Sequence, residues 1–251
     1  GMVAQQLNID VISNNLANVN TTGFKKSRAE FEDLMYQTMR MAGAITEGDN
    51  RLPVGIQVGM GTRPTAVHKF FTQGDFQNTG NTLDVAIEGD GFFQVDVNGE
   101  LMYTRAGSFK LNQDGTVVTA NGYILQPQFA VPAQTKTISI SSSGHMAAID
   151  AQGQELAGAE LPLYTFINPA GLDARGRNLY TPTEASGDAT EGVPGTDNVG
   201  TLAQGFLEMS NVEVVDEMVN MIVGQRAYEV NSKSIQTSDS MLGIAVQLKR
   251  S

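Results

Sequence analysis

The chain of 251 residues has no cysteine, no tryptophan and only two histidines. It also contains no apolar run near the roughly 20 residues that a membrane-crossing helix requires. Without cysteine there is no disulfide framework and no thiolate metal site, a composition that permits an oxidising, extracytoplasmic setting without demanding it. The first residues lack a basic segment followed by a hydrophobic one, so no cleavable secretory signal is read. If the protein works outside the cytoplasm, it must leave by a route that recognises the chain without such a signal.

Proline is absent from both ends. All 8 prolines and 21 of the 27 glycines fall between Pro53 and Gly205. What the ends contain instead is a seven-residue apolar step, the mark of helices that pack along a partner. Near the start, Met2, Ile9 and Leu16 recur with Gln5, Ile12 and Val19 three places on. Near the finish, Val214, Met221, Tyr228, Ile235 and Leu242 repeat the step, with Met218 and Gln225 among the residues four places on, and Glu217, Gly224 and Asn231 three places on. The expected fold class is therefore mixed: long N- and C-terminal α-helices pairing as a coiled coil, flanking a central all-β domain of sandwich or barrel type.

The second helix has clear end signals. Ser210 with Glu213 fits a capping box, Glu213, Asp216 and Glu217 sit early, and Lys249 and Arg250 close the end, all matching the helix dipole. From Asn211 to Arg250 it would run about 60 Å at 1.5 Å per residue. Gly224 inside it costs roughly 1 kcal/mol unless a close neighbour needs the space, which predicts crowded packing among several helices. The first helix ends in an Asn-rich run, and Asn14 and Asn18, one turn apart, are expected to supply self-complementary amides that set register between identical subunits. Residues 26–67 read as an extended connector, with Phe31, Leu34 and Met35 at helical spacing followed by a Gly-rich stretch.

From 68 to 208 the pattern is β. Short strands are expected at 92–97, 101–105, 108–111, 117–119, 123–128, 137–141, 145–149 and 161–166. Asn98-Gly99, Asp114-Gly115 and Asn121-Gly122 supply hairpin turns. The domain reading is 1–25 plus 209–251 as a helical unit, 26–67 as connector and 68–208 as a β-rich unit.

The formal net charge is −11, and the negative charge is held in the middle. Residues 70–225 carry nineteen acids against five bases, and the eight acids from Glu184 to Glu217 have no Lys or Arg among them, which argues against a nucleic-acid surface there. A catalytic pattern is also wanting. His68 and His145 have no zinc signature around them, there is no nucleophile elbow or phosphate loop, and Gly59-Met60-Gly61 and Gly89-Asp90-Gly91 each fail the third glycine of a dinucleotide fingerprint. Asp84, Glu88, Asp90, Asp96 and Glu100 form no spacing that requires hydrolysis. No enzyme, cofactor, metal site or membrane insertion is expected.

The run Asn14-Asn15-Leu16-Ala17-Asn18-Val19-Asn20-Thr21-Thr22-Gly23-Phe24-Lys25 closely resembles the N-terminal signature of the bacterial flagellar rod and hook proteins. Three further stretches resemble the distal-rod branch of that family: 83–87 leading to Gly91-Phe92-Phe93, then 103–109 with 119–123, and Gln225-Arg226-Ala227-Tyr228-Glu229-Val230-Asn231-Ser232-Lys233. The resemblance covers essentially the whole chain. It implies an axial structural subunit, exported by the flagellar type III apparatus, whose terminal helices line an inner tube while the β domain faces outward.

The same resemblance implies that residues 36–61 brace neighbours to keep the rod straight. It also implies that the first helix is truncated here relative to the family, and that the partners are further copies in a helical rod together with proximal rod, hook and ring proteins. The residues expected in the self-assembly seams are Ile9, Ile12, Asn14, Leu16, Asn18, Val19, Val214, Met218, Met221, Tyr228, Ile235 and Leu242. The termini are expected to order only on assembly, because a handful of buried Leu- or Ile-sized groups scarcely offsets the entropy of ordering two helices. The alternatives are a proximal rod or hook protein of the same family, a secreted β-rich binding module or a wall hydrolase.

Overall fold

The computed structural model describes residues 1–41, 54–196 and 198–248. The chain divides into two compact units. The first comprises 1–16, 27–68 and 214–251, and the second 17–26 and 69–213.

The first unit contains both helices, α1 (Met2–Ala17) and α2 (Val214–Leu248). The expected long N-terminal helix in a coiled coil is not what forms, because α1 stops after 16 residues. Its end is set by the turn that follows, where the Thr21 amide donates to the Asn18 carbonyl at 3.1 Å and the Thr21 hydroxyl donates to the Asn18 side chain at 3.2 Å. Asn and Thr offer the backbone local partners that compete with continuing the helix. Gly23 then takes φ 68°, and a Cβ there would lie 2.6 Å from the Ala106 nitrogen, so only glycine fits. At 1.5 Å per residue α1 is about 24 Å long and α2 about 52 Å. The contacts of α1 accordingly occupy only the first half of α2, running antiparallel from Asn15 beside Glu217, through Ile9 against Gly224, to Gly1 beside Asn231.

Two further expectations are corrected. Phe31, Leu34 and Met35, read at helical spacing, form no helix: Phe31 lies in a strand and Leu34 and Met35 link it to the next, Ser27–Asp33 and Thr62–Lys69 forming one two-stranded sheet, and Tyr36–Arg40 and Ile56–Gly59 another. The capping box at Ser210 does not form, since the helix begins at Val214; the Ser210 hydroxyl instead accepts the Val212 amide at 3.3 Å. The bracing segment expected at 36–61 and the basic end at Lys249 and Arg250 fall partly or wholly outside the described residues.

The second unit is mostly β. Its largest sheet is antiparallel, in the order Asp173–Gly176, Leu179–Thr181, Glu100–Thr104, Phe93–Val97, Ile124–Gln126, Val117–Thr119, Phe109–Leu111. The hairpin from Phe93 to Thr104 turns at Asn98 and Gly99, whose φ values of 56° and 89° match the twist of a two-residue loop. A three-stranded sheet (Thr137–Ile140, His145–Ile149, Glu155–Glu160) and the pair Val85–Glu88 with Thr201–Gln204 complete the walls of one core. Val85, Ile87, Phe93, Val95, Leu125, Met146 and Leu163 are all fully buried there. A second cluster packs Phe92, Tyr103, Phe166 and Tyr180 edge to face at 5.0 to 6.0 Å. Phe76–Asn78 pairs with Phe206–Glu208, joining segments about 130 residues apart in sequence and delivering Glu208 to the interior.

Candidate assembly surface

Helix α2 presents two different faces, one covered and mixed in polarity, the other apolar and exposed. On one, Glu217 and Gly224 are buried and Met221, Tyr228 and Asn231 half-buried, at steps of four, three, four and three residues. That spacing makes a single stripe, and it is the stripe that α1 covers: a Cβ on Gly224 would sit 3.2 Å from Ile9 Cγ1. The missing side chain is what lets the helices approach. On the opposite face, Val215, Met218, Val219, Ile222, Val223 and Val230 are each between 50% and 68% exposed. At 100° per residue these six lie on the side of α2 turned away from α1. From Lys233 to Gln247 every residue is exposed, including Ile235, Met241, Leu242, Ile244 and Val246.

The residues expected in the seams distribute unevenly. Ile12 is buried, Ile9, Leu16, Met221 and Tyr228 are half-buried in the first unit, and Val214, Met218, Ile235 and Leu242 are exposed. Asn14 is exposed on α1, whereas Asn18 and Val19 are half-buried in the turn that follows it. The amide that organises this region is Asn15, 2% exposed. Its side chain accepts the Ser27 N–H at 2.9 Å and donates to the Ser27 carbonyl at 2.8 Å, fastening the strand Ser27–Asp33 to the end of α1. Nothing in composition separates Asn15 from its neighbours; its distinguishing feature is its position on the buried side together with Ile12 and Ala4.

The second unit holds a cluster that sequence reading did not find. Lys25 and Arg105, 0% and 4% exposed, both bind the buried carboxylate of Glu208, with Lys25 Nζ to Oε1 and Arg105 Nε to Oε2 each 2.6 Å. The Gly74 amide adds a third bond to Oε1 at 3.0 Å. Arg105 further donates to the carbonyls of Ile87, Gly89 and Gly91, and Lys25 to that of Thr72 at 2.7 Å. Burial pushes the Glu208 carboxyl up, but Arg105 and Lys25 outweigh it and hold its pKa below the ordinary value. Four segments thus meet at one carboxylate: the end of the amino-terminal signature through Lys25, the Gly89–Gly91 loop through Arg105, the chain at Gly74, and the approach to α2 that carries Glu208 itself.

Each histidine has carboxylate company. His68 lies 3.7 Å from Glu30, and His145 sits between Glu160 at 3.1 Å and Glu155 at 3.2 Å, with the Glu160 bond foremost in raising its pKa. Among the described residues no group of three or more His, Asp or Glu is placed to hold a metal ion, and no helix is long and apolar enough to cross a membrane.

Family models match three regions of the chain. Residues 1–25 match the flagella basal body rod protein model, 86–148 the flagellar hook protein FlgE/F/G D1 domain, and 203–248 the flagellar basal body rod FlgEFG protein C-terminal region. Along its full length the chain is 50% identical to the flagellar basal-body rod protein FlgG of Borreliella burgdorferi, covering 96% of that protein. It is 50% identical to the FlgG of Buchnera aphidicola subsp. Schizaphis graminum and 46% identical to that of Caulobacter vibrioides, each over 99% of this chain and 96% of the relative. Signature, β-rich region and C-terminal helix are therefore matched together and in order, and the chain belongs to the family of the flagellar basal-body rod protein FlgG.

Proposed function

We propose how this chain, a structural subunit of the flagellar distal rod, assembles: the face of α2 turned away from α1 is buried against further copies, and polymerisation builds a rigid helical tube that carries torque to the hook. The observation that carries the reading is the row Val215, Met218, Val219, Ile222, Val223 and Val230, exposed on a helix whose other side is already occupied. A contiguous apolar surface of this kind marks an interaction site.

Energetics favour many neighbours over one. Fully burying a Val, Met or Ile side chain stabilises by roughly 1.5 to 3 kcal/mol, and these six have between half and two thirds of their surface still to cover, so the row contributes on the order of 5 to 10 kcal/mol. Association alone costs an estimated 4 to 15 kcal/mol in lost freedom of motion. A single pairwise contact through this face is therefore marginal, whereas a subunit added to a growing tube meets several neighbours at once. The exposed stretch from Lys233 to Gln247 supplies the surface for those additional contacts. A helix end this exposed gains little from packing in a single chain, so subunit addition and helix ordering are one step.

The test is electron microscopy of the purified protein beside the double variant Val219→Asp, Ile222→Asp. Wild type is expected to form straight tubes. The variant should stay dispersed while its second unit remains folded by near-ultraviolet circular dichroism of its tyrosines. Tubes formed equally well by the variant would remove this face from the assembly.

A further inference from the structure

Two of the stretches noted in the sequence, 103–109 and 119–123, meet the amino-terminal turn at one place on the second unit, a cavity of about 140 Å³. Thr22, Ser108, Asn121, Tyr123, Arg177 and Asn178 line it, and no Asp or Glu does so among the described residues. That is unusual for this chain, whose residues 70–225 carry nineteen acids and five bases. Arg177 is set in place by the backbone. The turn between Asp173–Gly176 and Leu179–Thr181 holds Arg177 and Asn178 at φ 55° and 58°, the left-handed pair of a two-residue hairpin loop. The turn is tied down at Asn178, whose side chain donates to the Thr22 carbonyl at 2.9 Å and whose own carbonyl accepts the Thr104 hydroxyl at 2.9 Å.

Arg177 donates one N–H to the Tyr123 hydroxyl. Its other N–H groups, the hydroxyls of Thr22 and Ser108, and the Asn121 amide have no hydrogen-bond partner among the described residues. A cluster of unused donors around one cation, with no carboxylate present, is complementary to an anion. We propose that this cavity binds a small oxyanion, a carboxylate or phosphate group, between the Arg177 guanidinium and the Ser108, Thr22 and Asn121 donors. The planar guanidinium fork matches both groups, and hydrogen bonds to an ionised acceptor are the stronger kind. Size agrees, since the cavity has room for four or five waters at about 30 Å³ each, which admits one such group and little more. The occupant is either a free anion or the side-chain carboxylate of a second copy, and the second unit has many to offer.

The experiment is a nuclear magnetic resonance titration of the dilute full chain with sodium phosphate and, separately, sodium acetate, at ionic strength held constant with chloride. Saturable shifts confined to Thr22, Ser108, Asn121 and Arg177 are expected. Affinity should fall about tenfold or more in Arg177→Asn, which keeps the turn because Asn accepts positive φ. Ser108→Ala should weaken binding less without touching the turn. Shifts that never saturate, or an Arg177→Asn chain that binds as well as wild type, overturn the proposal. A second arm, resting on the proposed polymerisation as the first does not, separates the two sources. If phosphate raises the concentration needed for tubes in wild type but not in Arg177→Asn, the occupant is a neighbour's carboxylate; if phosphate binds and assembly is unaffected, it is a free anion.

Discussion

Glu208 neutralises two cations buried in the second unit, so its loss is costlier than the pairing itself is stabilising. Removing one partner of a buried ion pair leaves an uncompensated charge at a cost of about 3 to 5 kcal/mol, so Glu208→Gln is expected to destabilise the second unit by about that amount in urea denaturation. Lys25→Met should cost less, since Arg105 still faces Glu208. The pH dependence has a definite sign. The Glu208 pKa is depressed below its ordinary 4.5 on folding, so its contribution is present above that pH and is lost as pH falls through the folded value. Wild type should therefore lose stability below about pH 4.5 more steeply than Glu208→Gln does.

Asn15 makes a comparable point in the first unit. Asn15→Ala removes both hydrogen bonds to the half-buried Ser27 backbone, each contributing about 1 kcal/mol. Asn15→Asp should be worse at neutral pH, because the carboxylate would face the Ser27 carbonyl and lie near Glu217. Amide exchange across residues 27–33 reads both effects. Neither residue was legible beforehand: Asn14, Asn15 and Asn18 are chemically identical in sequence, and Glu208 acquires meaning only through a strand pairing to Phe76–Asn78 that no local pattern announces.

At the scale of elements, the strands beside Asx-Gly turns were readable because their pairing is local; Phe93–Val97, Glu100–Thr104 and Val117–Thr119 lie within a residue of expectation. Strands that pair with distant partners, such as Thr201–Gln204 with Val85–Glu88, gave no comparable signal. The length of α1 was overestimated because its seven-residue apolar step runs on to Val19, while the Asn18–Thr21 turn ends the helix first. On α2 the step fell on the covered side at Met221 and Tyr228 and on exposed surface at Val214, Ile235 and Leu242; of the opposite row only Met218 was named, since Val215, Val219, Ile222 and Val223 fall on two adjacent stripes and not one. Gly224 links the two helices. Gly224→Leu would drive a side chain into Ile9, and is expected to separate α1 from α2, seen as faster amide exchange throughout residues 2–17 with the second unit unchanged.

At the scale of the whole molecule, the contrast between the units is the functional argument. The second unit is closed on itself, with two apolar clusters and its buried Glu208, Lys25 and Arg105 charges paired. The first leaves much of its longest helix apolar and exposed. A chain built this way is stable as a body and incomplete as a helix pair, which suits a subunit that finishes folding as it joins a polymer. Hydrogen–deuterium exchange along α2, measured on dilute monomer and on assembled tubes of the same protein, tests this most directly. The account predicts rapid exchange of residues 233–247 in the monomer and strong protection in the tube; equal protection of those amides in the dilute monomer would contradict it.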